Sequence, residues 1–150
     1  MHQVFEKIHS FASEKKLIDK NDRICCGISG GPDSVFLFHY LLSIKDILNL
    51  RLHIVHINYK LRGKSSDADA LFVKKLALKY NIDYQIEIPR IEKSNVNEQK
   101  LRDIRYNIFN KICREKKLNK IVLAHTLDDN VETFLFNLIK GAGLSGLSGI

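Results

Sequence analysis

Six consecutive residues, Ser29-Gly30-Gly31-Pro32-Asp33-Ser34, have the composition of a phosphate cradle. A phosphate needs backbone N–H donors that it can approach without Cβ obstruction, which Gly30 and Gly31 allow, at a helix N-terminus with free N–H groups. Ser29 and Ser34 can add hydroxyl donors. Pro32 suits the first position of a helix, since its φ is already helical and it has no N–H to lose. Asp33 cannot usefully meet a phosphate directly, because both are anionic. A Mg²⁺ ion between them removes the conflict, as Mg²⁺ is commonly held by one or two carboxylates plus phosphate oxygens. A plain βα turn is the bland alternative, but it does not call for Ser, Pro, Asp and Ser together. The stretch is neither GxGxxG nor GxxxxGK[ST], since no lysine follows the glycines.

Three further groups could do chemistry. In His125-Thr126-Leu127-Asp128-Asp129-Asn130-Val131-Glu132-Thr133, Asp128 and Glu132 stand four apart and share one helix face. Acids in a first turn suit the helix dipole; a carboxylate there could also complete a Mg²⁺–phosphate site with Asp33. In Asn97–Tyr106, Glu98, Arg102 and Arg105 line one helix face. They either pair internally or aim an arginine at a phosphoryl or carboxylate group. Lys60, Arg62 and Lys64 crowd one loop, as solvated charge or as a phosphate or nucleic-acid contact. His2, His9, His39 and His53 do not cluster and read as surface or core residues.

The elements that must position these groups alternate. Val4, Phe5, Ile8 and Phe11 recur at helical spacing. Arg23–Ile28 is an apolar strand, followed by the Ser29–Gly31 loop and a helix from Pro32. Leu50–Asn58 is a second strand, Tyr59–Ser66 a basic loop, and Asp67–Tyr80 a helix with Leu71, Phe72, Leu76 and Ala77 on one face. Ile82–Ile88 is a third strand and Pro89–Val96 a connection. Asn97 can cap a helix whose stripe is Leu101, Ile104, Ile108 and Ile112. Lys120–Ala124 is a fourth strand and Asp128–Lys140 a further helix, before the glycine-rich GAGLSGLSGI. Strands separated by helices imply βαβ units and a doubly wound, Rossmann-like parallel α/β sheet with helices on both faces. Ligands bind such sheets beyond the carboxyl ends of the strands, where the strand order reverses. The candidate residues fall in those windows.

The chain has 150 residues, 45% hydrophobic and 27% charged, which is ordinary for one globular domain. No stretch approaches the roughly 18 apolar residues of a membrane span, and no apolar leader is visible. Three cysteines, Cys25, Cys26 and Cys113, show no metal-ligand spacing, so a reduced, cytoplasmic chain is expected. The net charge of +7 permits a polyanionic partner.

Together the four motifs resemble the tRNA(Ile)-lysidine synthetase family of the PP-loop, or N-type ATP pyrophosphatase, superfamily. SGGPDS looks like the superfamily's pyrophosphate loop. HINYKLRGKSSDADALFV is similar to a His-x-x-x-x-Leu-Arg segment, NEQKLRDIRY to a Glu-x-x-x-Arg-x-x-Arg-Tyr helix, and AHTLDDNVET to an Ala-His-x-x-Asp-Asp-x-x-Glu-Thr block. Tyr59 and Thr126 stand where histidine is frequent in the family, and Asn130 where glutamine is. The resemblance implies an adenine nucleotide alpha hydrolase-like fold, with residues 1–150 as an N-terminal ATP-binding catalytic domain cut short at its C-terminal end. It implies ATP and Mg²⁺ as cofactors, and tRNA(Ile) with a CAU anticodon and free lysine as substrates; a homodimer is left open. ATP would adenylate the C2 oxygen of the wobble cytidine, and the lysine ε-amine would then displace AMP. Ser29, Gly30, Gly31, Pro32, Asp33 and Ser34 would hold the pyrophosphate end, Asp33 and Asp129 the Mg²⁺, and Arg105 an anionic group. Glu132 or His125 would orient the amine or the base. His56 and Asn58 would form the adenine side.

Overall fold

The computed structural model describes residues 3–91 and 97–124. Helix α1 (Gln3–Glu14) leads into β1 (Arg23–Gly27), α2 (Pro32–Lys45), β2 (Arg51–Ile57), α3 (Lys64–Lys79), β3 (Asp83–Glu87), α4 (Glu98–Lys116) and β4 (Lys120–Leu123). All strand pairings are parallel, in the order β3-β2-β1-β4. The chain steps outward from β1 to β3 and then crosses back to the far side of β1. The order therefore reverses between β1 and β4, and the crevice expected at such a reversal opens at their carboxyl ends.

Alternation along β1 builds two cores. Ile24, Cys26 and Ile28 join Phe38, Leu41 and Ile44 of α2 and Val73, Leu76 and Ala77 of α3, with Phe5 and Ile8 of α1 packed against them. Cys25 points to the other face, with Val55 and with Phe109 and Ile112 of α4. The right-handed crossover rule explains the division: connections running one way along the sheet lie on one face, and the return connection lies on the other. Helices on both faces, as the alternation predicts, are what the fold has.

Local chemistry sets the helix ends. Pro32 occupies the first turn of α2, with Gly31 as its N-cap residue. The Asn97 side chain accepts from Lys100 N at 2.8 Å and caps α4. Helix α3 begins at Lys64, three residues before the expected Asp67. Gly63 turns the chain with φ 53°, and Ser66 Oγ accepts from Arg62 N at 3.2 Å, so the serines start a helix instead of prolonging a loop. Two expected core positions are also corrected. Leu71 and Phe72 are exposed, and α3 buries Ser66, Val73, Leu76 and Ala77 instead. Phe11 of α1 is exposed as well.

Away from the crevice, Lys120 of β4 is tied to Asp19 at 2.8 Å and Asp22 at 2.7 Å, and Asn119 Nδ2 donates to Asp22 at 2.8 Å. Burial by itself raises the Asp22 carboxyl, but these donors and the Asp19 N–H outweigh it and hold the group below the usual range. The network fastens the returning strand to the start of β1. Among the described residues no helix is long and apolar enough to cross a membrane.

Candidate active site

The loop after β1 is braced from within. Ser29 Oγ accepts from Gly31 N at 3.2 Å and lies 3.1 Å from Ser34 Oγ, while Ser34 Oγ donates to the Gly31 carbonyl at 2.9 Å. Gly30 has φ +95°, in the region where a side chain is strained, and a Cβ there would lie 3.4 Å from Asp69 Cβ. The positive φ is what calls for glycine at position 30, since the Asp69 contact alone would be an ordinary one. Asp33 is exposed in the first turn of α2 and makes no hydrogen bond or ion pair with any described residue. The loop thus brings together a turn held by two hydroxyls, a helix N-terminus and an uncommitted carboxylate at its rim, the parts a phosphate cradle would use.

The adjoining end of β2 supports this loop from beside it. His56 is buried, with Nδ1 2.8 Å from the Ile28 carbonyl. A carbonyl can only accept, so Nδ1 carries the proton and, in the neutral ring, Nε2 is an acceptor. Asn58 is also buried; its Nδ2 donates to Asp67 at 2.9 Å and its Oδ1 accepts from Lys60 N at 2.9 Å. Both residues lie at the expected edge, and these bonds fix the strand end against the phosphate loop and against α3.

The basic loop is less free than its sequence suggests. Lys60 pairs with Asp67, and Arg62 with Asp69 at 2.9 Å. The Lys60 ammonium, then the Asn58 amide, hold the Asp67 carboxyl below its ordinary range. Two pairs spaced seven residues apart thus fold this loop onto the start of α3, beside Gly30. Sequence reasoning did not single out Asp67 or Asp69, although the repeated spacing of seven was the available signal.

On the opposite face, the guanidinium carbons of Arg102 and Arg105 lie 5.7 and 5.8 Å from the Tyr106 ring centroid. Neither arginine forms an ion pair with Glu98, so internal pairing does not account for them among the described residues. Arg105 Nε is buried and has no acceptor among those residues. Tyr59 reaches the same turn, its hydroxyl donating to the Leu101 carbonyl at 3.2 Å. Burial raises the Tyr59 hydroxyl and the nearby Arg105 cation lowers it, with a net rise.

His125, Asp128, Asp129 and Glu132 lie outside the described residues. Strand β4, which precedes them, ends at Leu123 opposite Gly27 of β1, two residues before Ser29. Among the described residues no three His, Cys, Asp or Glu side chains are grouped as a metal site. Asp33, exposed and unpaired among the described residues, offers one carboxylate of the kind that a phosphate-bound Mg²⁺ would use.

Comparison with known proteins agrees with this fold. The PP-loop domain family model matches residues 1–150. The chain is 38% identical over its whole length to the tRNA(Ile)-lysidine synthase of Chlorobaculum tepidum, covering 47% of that protein. It is 39% identical over 98% of its length to the tRNA(Ile)-lysidine synthase of Clostridium tetani, covering 32% of it. The chain therefore spans a third to a half of these curated relatives. Among solved structures, the U34-tRNA thiolase NcsA of Methanococcus maripaludis, described with its [4Fe-4S] cluster, superimposes with a TM-score of 0.74. That match covers 94% of this chain and 51% of that one at 24% identity, and it speaks for the fold alone.

Proposed function

Because the chain belongs to the PP-loop domain family, we propose that it handles ATP in the lysidine-forming reaction on tRNA(Ile). The observation that carries this reading is identity across the whole chain to proteins named for that reaction; a braced glycine turn at a helix N-terminus, beside the strand-order reversal, supports it. In the first step the C2 oxygen of the wobble cytidine, in a CAU anticodon, attacks the α-phosphorus of ATP and pyrophosphate leaves. In the second, the ε-amine of free lysine attacks C2, loses a proton and displaces AMP.

Each step finds residues suited to it. Gly30 and the first turn of α2 would present N–H groups to the departing pyrophosphate, and the Gly31 N–H and the Ser29 and Ser34 hydroxyls, which bond within the loop, would exchange those bonds for it. Preorganised donors of this kind stabilise charge as it develops. Mg²⁺, held by Asp33 with Asp129, would neutralise phosphate charge. The His56 Nε2 acceptor suits the exocyclic amine of adenine, with Asn58 holding the strand end in register. Arg105 supplies a fixed cation to an anionic group, and His125 or Glu132 orients the amine or the base. The reaction belongs to the cytoplasm, where tRNA, ATP and lysine meet.

A rival reading, a tRNA thiolase of the same superfamily, gains no support from the cysteines. Cys25 and Cys26 are buried inside β1 and Cys113 lies on α4. Burial pushes the Cys26 thiol up to about 12 and raises that of Cys25 as well, which opposes the thiolate needed for sulfur transfer or cluster ligation. The test is pyrophosphate release by the full-length protein given ATP, Mg²⁺, lysine and tRNA(Ile) transcript. Release that needs the wobble cytidine, with lysine incorporated into the tRNA, is expected. Turnover with a sulfur donor in place of lysine, or ATP binding without turnover, would refute the reading.

A further inference from the structure

Tyr59 occupies a position that the reaction scheme leaves without a task. It follows β2 with the same parity as Val55 and Ile57, which pack on the α4 side of the sheet, whereas its neighbour Asn58 bonds Asp67 of α3. The left-handed turn at Lys60, φ 57°, closed by Lys60 N on Asn58 Oδ1, sends the chain back toward α3 and leaves Tyr59 against α4. There its hydroxyl donates to the Leu101 carbonyl. In an α-helix that same carbonyl receives the N–H of the residue four positions on, which is Arg105. Tyr59 thus bonds the helical turn on which Arg105 rides, 42 residues away in sequence. Tyr106 lies within cation–π range of the Arg105 guanidinium, 5.8 Å from ring centroid to guanidinium carbon. Arg105 Nε, buried without an acceptor among the described residues, is the group whose direction this arrangement would fix.

We infer that Tyr59 is a positioning residue: through the Leu101 carbonyl it ties the loop beside the phosphate cradle to α4 and sets the aim of the Arg105 guanidinium at the reacting anion. This rests on the function proposed above. A histidine at position 59 cannot place a donor as far along the same direction as a tyrosine hydroxyl, so the tether belongs to this chain's own choice of residue. It acts by holding a charge in place, so its loss should slow the chemical step more than it weakens ATP binding, which the loop at residues 29–34 supplies separately.

Two measurements on the full-length protein test this. In the first, Tyr59→Phe is expected to lower kcat for pyrophosphate release about fivefold to tenfold, the effect of one hydrogen bond, with the KM for ATP within about twofold. In an Arg105→Lys background the same substitution should cost almost nothing further, because the group it aims has been replaced. Equal costs in both backgrounds, or a change confined to KM, would overturn the inference. In the second, amide hydrogen exchange over residues 101–106 should quicken in Tyr59→Phe and not in Tyr84→Phe, on the distant edge strand β3. Unchanged exchange would overturn the inference whether or not the protein turns over. Should the wild type release no pyrophosphate while exchange quickens as stated, the proposed function falls and the tether stands.

Discussion

Gly27 is a glycine for reasons of packing, and replacing it gives a sharp test of how the crevice is assembled. A Cβ at position 27 would lie 2.8 Å from Phe109 Cζ and 2.3 Å from Leu123 Cδ2. Carbon atoms pack best at about 3.5–4.0 Å, so roughly an ångström must be found at each contact. The leucine methyl can rotate away, but the Phe109 ring is 2% exposed and has nowhere to go. Overpacking of this kind costs about 1–3 kcal/mol. For a chain of this size each kcal/mol lowers the melting temperature by about 2–4 °C. Taking about 2 kcal/mol, Gly27→Ala should melt roughly 4–8 °C below the wild type by circular dichroism. Phe109→Leu, destabilising alone, should restore part of the loss when combined with Gly27→Ala, with a coupling of about 1 kcal/mol in the favourable direction. A Gly27→Ala melt within about 1 °C of wild type, or costs that simply add, would refute the claim that β1, β4 and α4 meet without slack below the phosphate loop.

Other expectations follow from the same geometry. Gly30→Ala must place a side chain at φ +95° beside Asp69; it should raise the KM for ATP by about tenfold or more and cost about 1–2 kcal/mol, and an unchanged KM would separate the loop from ATP. Asp33→Asn should abolish pyrophosphate release and lower the melting temperature by no more than about 4 °C, the loss of one favourable charge at the α2 N-terminus; near-normal release would remove it from the metal site. Stability should fall in two steps as the pH drops. Burial, then the Lys116 cation, lower the His53 imidazole below its ordinary 6.5, so the folded state resists protonation and stability declines as pH falls below that value. The depressed Asp22 carboxyl contributes in full above 3.8 and its contribution is lost as pH falls through its lower folded value. His53→Gln should flatten the first step and Asp22→Asn the second, in urea titrations across pH; unchanged curves would contradict these assignments.

The glycine turn and the helix start at Pro32 were legible in sequence because their requirements are local. Two glycines, a proline that starts a helix and the hydroxyls either side act on residues a few positions away, and chain neighbours are neighbours in any fold. Periodicity likewise gave the strand and helix order, since a period near two or near 3.6 follows from backbone geometry before any packing is formed. Three properties needed the folded chain. Leu71 and Phe72 read as core because they are apolar at helical spacing, yet the sheet accepts only the width occupied by Val73, Leu76 and Ala77. The basic loop read as free charge until α3 brought Asp67 and Asp69 across to it. The tether from Tyr59 to the turn that carries Arg105 depends on the parity of β2 and on α4 returning over the opposite face of the sheet, and a pairing that remote leaves no mark in either segment taken alone. Sequence therefore determined which side chains stand together as candidates for chemistry, because residue type and short spacing dictate it. Tertiary structure alone decided which charges remain free to act and which are spent on one another, because that depends on distances across the sheet that local spacing does not encode.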